Sequence, residues 1–284
     1  MNKHLIFFGT DDFATIILDE LKGKGILPTL IITSPDKPQG RKLILTPPPV
    51  KVWAEENNIE YWQPEHLDTD FIQKLTAYMP IIDLGIVASY GKIIPQDIIS
   101  LPKHKTLNVH PSLLPKLRGA SPIQSALLYE DKTGVSIMRI DEKMDHGPLL
   151  AQEEYQTSAW PIESGKLERD LAHQGGALLA TIIPQWIKDK LQEQEQDHSN
   201  ATYTKKIIKK DGLLDLSDSP EKNLRKIKAF SEWPRAYFFT QRNGKEIRII
   251  VTDAIIQNGE LSFLRVIPEG KKEMSYEEFL KGNR

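Results

Sequence analysis

Short apolar runs alternate with longer amphipathic stretches over the first two-thirds of the chain. The runs fall at residues 5–8, 30–33, 81–87, 106–109 and 134–140, each of strand length and mostly rich in β-branched residues. Between them apolar positions recur at three- and four-residue intervals. Ala14, Ile17, Leu18 and Leu21 do so in the first such segment, which puts them on one face of a helix. Strand–helix–strand alternation of this kind predicts an α/β domain built on a parallel sheet. A later helix over 165–183 carries Leu167, Leu171, Leu178 and Ile182 on one face, and Pro184 is expected to kink or end it.

The pattern then breaks. Residues 192–200 are polar throughout, without periodicity, and read as a linker. Beyond them, Asn243-Gly244 stands between strand-like runs at 236–241 and 246–252, and Asn258-Gly259 between 255–256 and 261–266. Asn-Gly pairs in such places signal hairpins, because the tight turn that matches strand twist needs positive φ at both central residues. Ser219-Pro220 has the form of a helix N-cap followed by proline at the first helical position, and Ser275 with Glu278 forms a capping box for a terminal helix. The C-terminal part is therefore a small antiparallel sheet or barrel with helices. A chain of 284 residues accommodates about two domains, here set at 1–190 and 207–284 with a junction at 191–206.

Net charge is close to zero, but its distribution is uneven. From Lys205 onward there are 17 basic and 12 acidic residues, against 20 and 27 before it. A basic second part on an acidic first part suggests that the two do different work. The absence of cysteine excludes disulfides, thiolate nucleophiles and cysteine-based zinc sites. The N-terminal apolar run is too short for a signal peptide, and no stretch reaches the ~20 apolar residues of a membrane span. A soluble cytoplasmic monomer with no membrane partner is expected. The first strand–helix turn, Gly9-Thr10-Asp11-Asp12-Phe13, lacks the three-glycine pattern that lets a backbone approach a pyrophosphate, so no dinucleotide cofactor is expected and Gly9 reads as a turn glycine. The seven histidines show no ligand spacing, and no metal is expected.

The candidate chemistry sits in Asn108-Val109-His110-Pro111-Ser112-Leu113-Leu114-Pro115, at the carboxyl end of a predicted parallel strand, where open α/β sheets receive their ligands. Two positions apart on an extended segment, Asn108 and His110 point to the same side. A hydrogen-bond donor beside a proton-transfer group is what acyl transfer requires: an oxyanion must be held while a proton leaves the nucleophile. Asp145, in the polar turn at 141–147, is the candidate third member, able to orient His110 and stabilise its cation. Taken singly, a histidine after a strand is more often a structural hydrogen-bonder, and Asp145 reads more readily as a turn residue.

The run from Asn108 to Pro115, continued by Lys116-Leu117-Arg118-Gly119-Ala120-Ser121-Pro122-Ile123-Gln124, resembles the signature of the 10-formyltetrahydrofolate-dependent formyltransferases. Met144-Asp145-His146-Gly147-Pro148 is similar to their second loop. Within that superfamily the chain is similar to the methionyl-tRNA formyltransferases over nearly its whole length. Gly9-Thr10 through Phe13, the loop from Ser34 to Arg41 followed by Pro47-Pro48-Pro49-Val50-Lys51, Thr202-Tyr203-Thr204-Lys205-Lys206-Ile207 and Trp233-Pro234 carry this narrower match. It departs from the family pattern at Leu117, usually aromatic, at Pro111, often glycine, and at Ser121, usually alanine, and its C-terminal domain is short.

The resemblance implies a Rossmann-like formyltransferase domain followed by an OB-like β-barrel. It also implies formyl transfer from 10-formyltetrahydrofolate to the α-amine of methionyl initiator tRNA, with Asn108, His110 and Asp145 catalytic. Ser112, Leu113, Leu114 and Pro115 are then expected to line the folate pocket, with backbone around Val87, Ser89 and Tyr90 and the loop beginning at Asp141 receiving the pterin. Arg41 and Lys42, in a loop punctuated by proline and glycine, and Lys205, Lys206, Lys209 and Lys210 are the candidate RNA contacts. Two alternatives remain open: a sugar-nucleotide or glycinamide ribonucleotide formyltransferase, which would share the catalytic residues, and a non-catalytic RNA-binding protein using its OB-like module.

Overall fold

The computed structural model describes residues 4–40, 42–242 and 244–282. The chain forms two compact units. One comprises the residues up to Arg118 with Gly134–Tyr155 and Arg169–Thr202; the other comprises Gly119–Thr133, Gln156–Glu168 and the residues from Tyr203 on. In chain order the first stretch gives β1 (Leu5–Gly9), α1 (Asp12–Gly23), β2 (Leu30–Ile32), β3 (Lys37–Gln39), β4 (Ile44–Thr46), α2 (Pro49–Glu56), β5 (Glu60–Trp62), α3 (Thr69–Tyr78), β6 (Leu84–Ala88), α4 (Gln96–Ile99), β7 (Thr106–His110) and the two-residue β8 (Arg118–Gly119). It continues with α5 (Pro122–Tyr129), β9 (Gly134–Arg139), β10 (Leu149–Glu154), α6 (Ser164–Trp186) and β11 (Tyr203–Thr204). The last stretch holds α7 (Pro220–Ala229), β12 (Ala236–Arg242), β13 (Lys245–Gln257), β14 (Glu260–Pro268), β15 (Met274–Ser275) and α8 (Tyr276–Lys281).

The first unit is built on a seven-stranded sheet of order β10-β9-β7-β6-β1-β2-β5. The five strands from β7 to β5 are parallel, as the alternation predicts. The run at 134–140 departs from it. As β9 it pairs antiparallel with β7, His110 opposite Ser136, and then hairpins into β10. The chain leaves the carboxyl end of β7, makes its excursion, and re-enters beside that same end, so the returning strand must run backwards. Residue 81 also lies outside the predicted strand: Ile81 is exposed and β6 begins at Leu84.

Helix α1 buries Ala14, Ile17, Leu18 and Leu21, the predicted face, and Asp11 caps its N-terminus through Ala14 N. Gly9 is a packing glycine: a Cβ there would stand 2.8 Å from that of Ala14. Helix α6 runs past Pro184 to Trp186, because a proline in the last turn removes only one hydrogen bond. Its buried face passes through Leu171, Gly175 and Leu179, with Leu178 only half-buried. Gly175 lets the helix approach the sheet, since a Cβ there would lie 2.6 Å from Val109.

In the second unit the small β domain is an antiparallel meander, β12-β13-β14-β15. The two predicted runs at 246–252 and 255–256 are one strand, β13, interrupted by a bulge around Asp253. Asn258 and Gly259 take the positive φ values of the predicted turn, 53° and 81°. Of the other turn, Gly244 is at +72°, while Asn243 lies outside the described residues. Ser219 caps α7, and Ser275 and Glu278 complete the capping box of α8. Phe238, Ile249, Val251, Val266 and Phe279 form the core of this unit.

Candidate active site

Strand β7 ends in a tight turn, and three hydrogen bonds to one hydroxyl define its shape. Ser136 Oγ, on β9, donates to Ser112 O at 2.6 Å and accepts from Leu114 N at 3.1 Å and from Gln152 Nε2 at 2.8 Å. Gln152 also donates to Leu114 O at 2.8 Å, and Ser112 Oγ donates to Lys116 O at 2.7 Å. Leu114 is buried against Met138 and Leu149. Ser112 and Leu114 thus both help to hold the turn that the resemblance assigns to the ligand pocket. A Ser-Leu-Leu-Pro run does not itself reveal which members face inward. Leu113 and Pro115 are half-buried.

Asn108 lies half-buried between Val87 on β6 and Met138 on β9, its register partners. Among the described residues its side-chain amide has no protein hydrogen-bond partner. His110 is buried. Its Nε2 is 3.0 Å from the Leu117 carbonyl, and a carbonyl only accepts, so Nε2 carries a proton. Nδ1 is then the ring nitrogen that can gain or lose one. It faces Asp145 Oδ2 at 3.7 Å. The sequence-predicted trio is therefore partly joined: His110 and Asp145 are neighbours, and Asn108 precedes His110 by two positions on the same strand. Leu117, which stands where the family is usually aromatic, has φ +61° and is buried, and Thr202 Oγ1 accepts its N–H at 2.9 Å.

Asp145 itself sits at φ +49°, in the left-handed region. The loop around it is fixed by a network that runs through Gln196, Arg118, His198 and His146. Gln196, from the polar segment, donates to Asp145 O at 3.0 Å and Gly147 O at 2.7 Å. Buried Arg118 donates to Gln196 Oε1 and to His198 Nδ1 at 2.9 Å. His198 stacks on His146 with ring centroids 4.0 Å apart, and His146 Nδ1 is 2.7 Å from Asp141 Oδ2. Arg118, His146 and Gly147 fall within the quoted motifs and Asp141 within the predicted loop, whereas nothing marked Gln196 or His198.

An open depression of about 350 Å³ is lined by Gln96, Arg139, Ile140, Asp141, Glu142, Lys143 and His146. Asp141 has accepted from Lys143 N and His146 and retains acceptor capacity, while Gln96 adds an amide and Ile140 an apolar surface. The Glu193 carboxylate beside Arg139 holds its guanidinium above the usual range.

The other predicted pocket residues divide. Val87 is half-buried and Ser89 exposed at φ +47°, its hydroxyl bonded to Asp11 Oδ2. Burial, opposed by that bond, pushes the Asp11 carboxyl up from 3.8. Tyr90 contributes its side chain to the core. Its ring packs in the core edge-on to Phe8, its carbonyl accepts from Thr10 Oγ1 at 2.9 Å, and burial pushes its hydroxyl up to about 12.

Arg41 lies outside the described residues, and Lys42 is exposed beside the β3–β4 hairpin. Lys205, Lys206, Lys209 and Lys210 are all exposed. Among the described residues no cluster of three or more His, Asp or Glu side chains could hold a metal ion, and no helix is long and apolar enough to cross a membrane.

Comparison with known proteins defines the class first. Residues 2–183 match the formyl transferase family and residues 206–262 the formyl transferase C-terminal domain. Similar in full length is the methionyl-tRNA formyltransferase of Halalkalibacterium halodurans, 36% identical over 98% of this chain and 94% of its own. The chain belongs to the methionyl-tRNA formyltransferase family, enzymes of translation initiation. Two solved structures share the fold. The methionyl-tRNA formyltransferase from Clostridium thermocellum has a TM-score of 0.58 at 15% identity, covering 96% of this chain and all of its own. The N-formyltransferase from Helicobacter canadensis, in complex with folinic acid and dTDP-3-aminofucose, has a TM-score of 0.64 at 16% identity, covering 90% and 89%. At such identities the likeness is one of fold, so sugar N-formyltransferases are structural neighbours of this chain.

Proposed function

We propose that this chain transfers a formyl group from 10-formyltetrahydrofolate to the α-amine of methionyl initiator tRNA, giving N-formylmethionyl-tRNA. In this reading residues 1–190 carry the chemistry, 191–206 lead to the second domain and contribute Lys205 and Lys206 to RNA binding, and 207–284 bind RNA through Lys209 and Lys210, helped by Arg41 and Lys42. The observation that supports it most is the His110–Asp145 approach of 3.7 Å, two positions beyond an Asn108 amide that has no protein partner among the described residues, in a member of this family.

Asn108 donates to the formyl oxygen as negative charge develops there. His110 keeps Nε2 on the Leu117 carbonyl, so the proton from the attacking amine enters at Nδ1 or at Asp145, and the pair holds it between them. Asp145 stabilises the imidazolium and keeps the ring from turning. The folate co-substrate supplies the one-carbon group: as the intermediate collapses, the bond from the formyl carbon to N10 breaks, and the proton held by His110 and Asp145 passes to N10 of the departing tetrahydrofolate. Asp141, Gln96 and Ile140 hold its ring, and backbone at Val87 and Ser89 with the side chains of Leu113 and Pro115 completes the pocket.

The test is formyl transfer from 10-formyltetrahydrofolate to methionyl-tRNA by Asn108→Ala, His110→Ala and Asp145→Ala. Turnover is expected to fall about 10²–10³-fold for the first and about 10²–10⁴-fold for the others. Near-native rates in folded variants, or preference for a nucleotide-linked aminosugar as acceptor, would overturn the reading.

A further inference from the structure

We infer that Gln196 is a positioning residue for the Asp145 carboxylate, an inference that rests on the reading of His110 and Asp145 given above. Gln196 is only 5% exposed although it lies in the most polar stretch of the chain. Its carboxamide is used at both ends. Oε1 accepts from Arg118 Nη2 at 2.6 Å and Nε at 3.2 Å, while Nε2 donates to the carbonyls of Asp145 and Gly147 at 3.0 and 2.7 Å. Among side chains of this size only an amide can accept from a guanidinium and donate to two carbonyls at once.

Those two carbonyls bracket the turn that carries the carboxylate. Asp145 has φ +49°, a conformation that for a residue with a Cβ persists only where its surroundings hold it. Gly147 is equally constrained, since a Cβ there would meet Arg139 O at 1.9 Å. The segment that brings Gln196 is itself fixed: Gln194 exchanges backbone hydrogen bonds of 2.9 and 2.8 Å with Leu149. Arg118, 1% exposed, is thus the post from which the 141–147 loop hangs, and Gln196 is the link. Without its donor end the left-handed turn relaxes, and Asp145 leaves its station 3.7 Å from His110 Nδ1.

Gln196→Glu separates the two ends, keeping an acceptor for Arg118 and losing the donor to both carbonyls; Gln196→Met removes both at similar volume. The expected result, with methionyl-tRNA and 10-formyltetrahydrofolate, is a kcat lowered about 10–10²-fold with each KM within about threefold, as for misplacement of a reacting group by a fraction of an ångström. In the Asp145→Asn background the same substitutions should cost less than about threefold, because residues that act through one another are not additive. An unchanged kcat, a raised KM alone, or losses that multiply in the double variants would overturn the inference. Should Gln196→Glu not fold, Gln196→Met in the same cycle carries the decision. Asp145→Asn with near-native turnover would instead remove the reading of the site itself.

Discussion

The Asp145 carboxylate stands 3.7 Å from His110 Nδ1 while the opposite ring nitrogen is held by the Leu117 carbonyl. Only one side of the imidazole is therefore available for proton exchange. His110→Gln should place an amide nitrogen near the Nε2 position and keep the Leu117 hydrogen bond while removing the ring nitrogen that faces Asp145. The expected outcome is a thermal midpoint close to the parent's with formyl transfer down about 10²–10⁴-fold. Equal loss of fold and activity would show that the ring's part is structural.

Ser136 is the keystone of the turn after β7. Ser136→Ala strands the buried Leu114 N–H and releases Ser112 O and Gln152. An unsatisfied buried donor costs about 1–3 kcal/mol, which denaturant titration would detect. A loss below about 0.5 kcal/mol would contradict this account.

Asp11 supplies a pH signature. Burial raises its carboxyl pKa above 3.8, so the folded state binds this proton more tightly than the unfolded one. Its contribution is favourable at low pH and is lost as pH rises through the raised value. Asp11→Asn retains an N-cap acceptor for Ala14 N without the charge. Its melting temperature relative to the parent should climb from about pH 4 upward and then level off. A pH-independent difference would refute the direction.

The Tyr90 hydroxyl is buried and has no protein hydrogen-bond partner among the described residues. Tyr90→Phe keeps the edge-on contact with Phe8 and is expected to leave stability unchanged or raise it by about 1 kcal/mol. A marked destabilisation in urea unfolding would show that the hydroxyl is engaged.

The exposed lysines at 205, 206, 209 and 210 are testable by salt dependence. Replacing them with alanine should flatten the plot of log affinity for tRNA against log salt by about 0.7–0.9 for each lysine that neutralises a phosphate. An unchanged slope would place the RNA elsewhere.

The pattern of apolar residues was enough to read the strand–helix alternation, the buried face of α1, the Asn-Gly turns and the caps at Ser219 and Ser275, because each depends on neighbours within a turn or two of chain. Asn108 and His110 could be paired from their spacing on one strand, and Asp145 could be named only as a candidate from the polar turn at 141–147; its approach to His110 is a product of the fold. Residues that meet only through folding were not legible. The antiparallel return of β9 follows from where the chain re-enters the sheet, and the burial of Leu114 and Tyr90 from what packs over them. Gln196 is the clearest case: 51 residues from Asp145 and 78 from Arg118, it is polar among polar neighbours, and only the tertiary structure turns its amide from a solvated side chain into a buried link between them. Local sequence sets helix, strand and turn, whereas the desolvation that gives a polar group its leverage arises from contacts between distant segments.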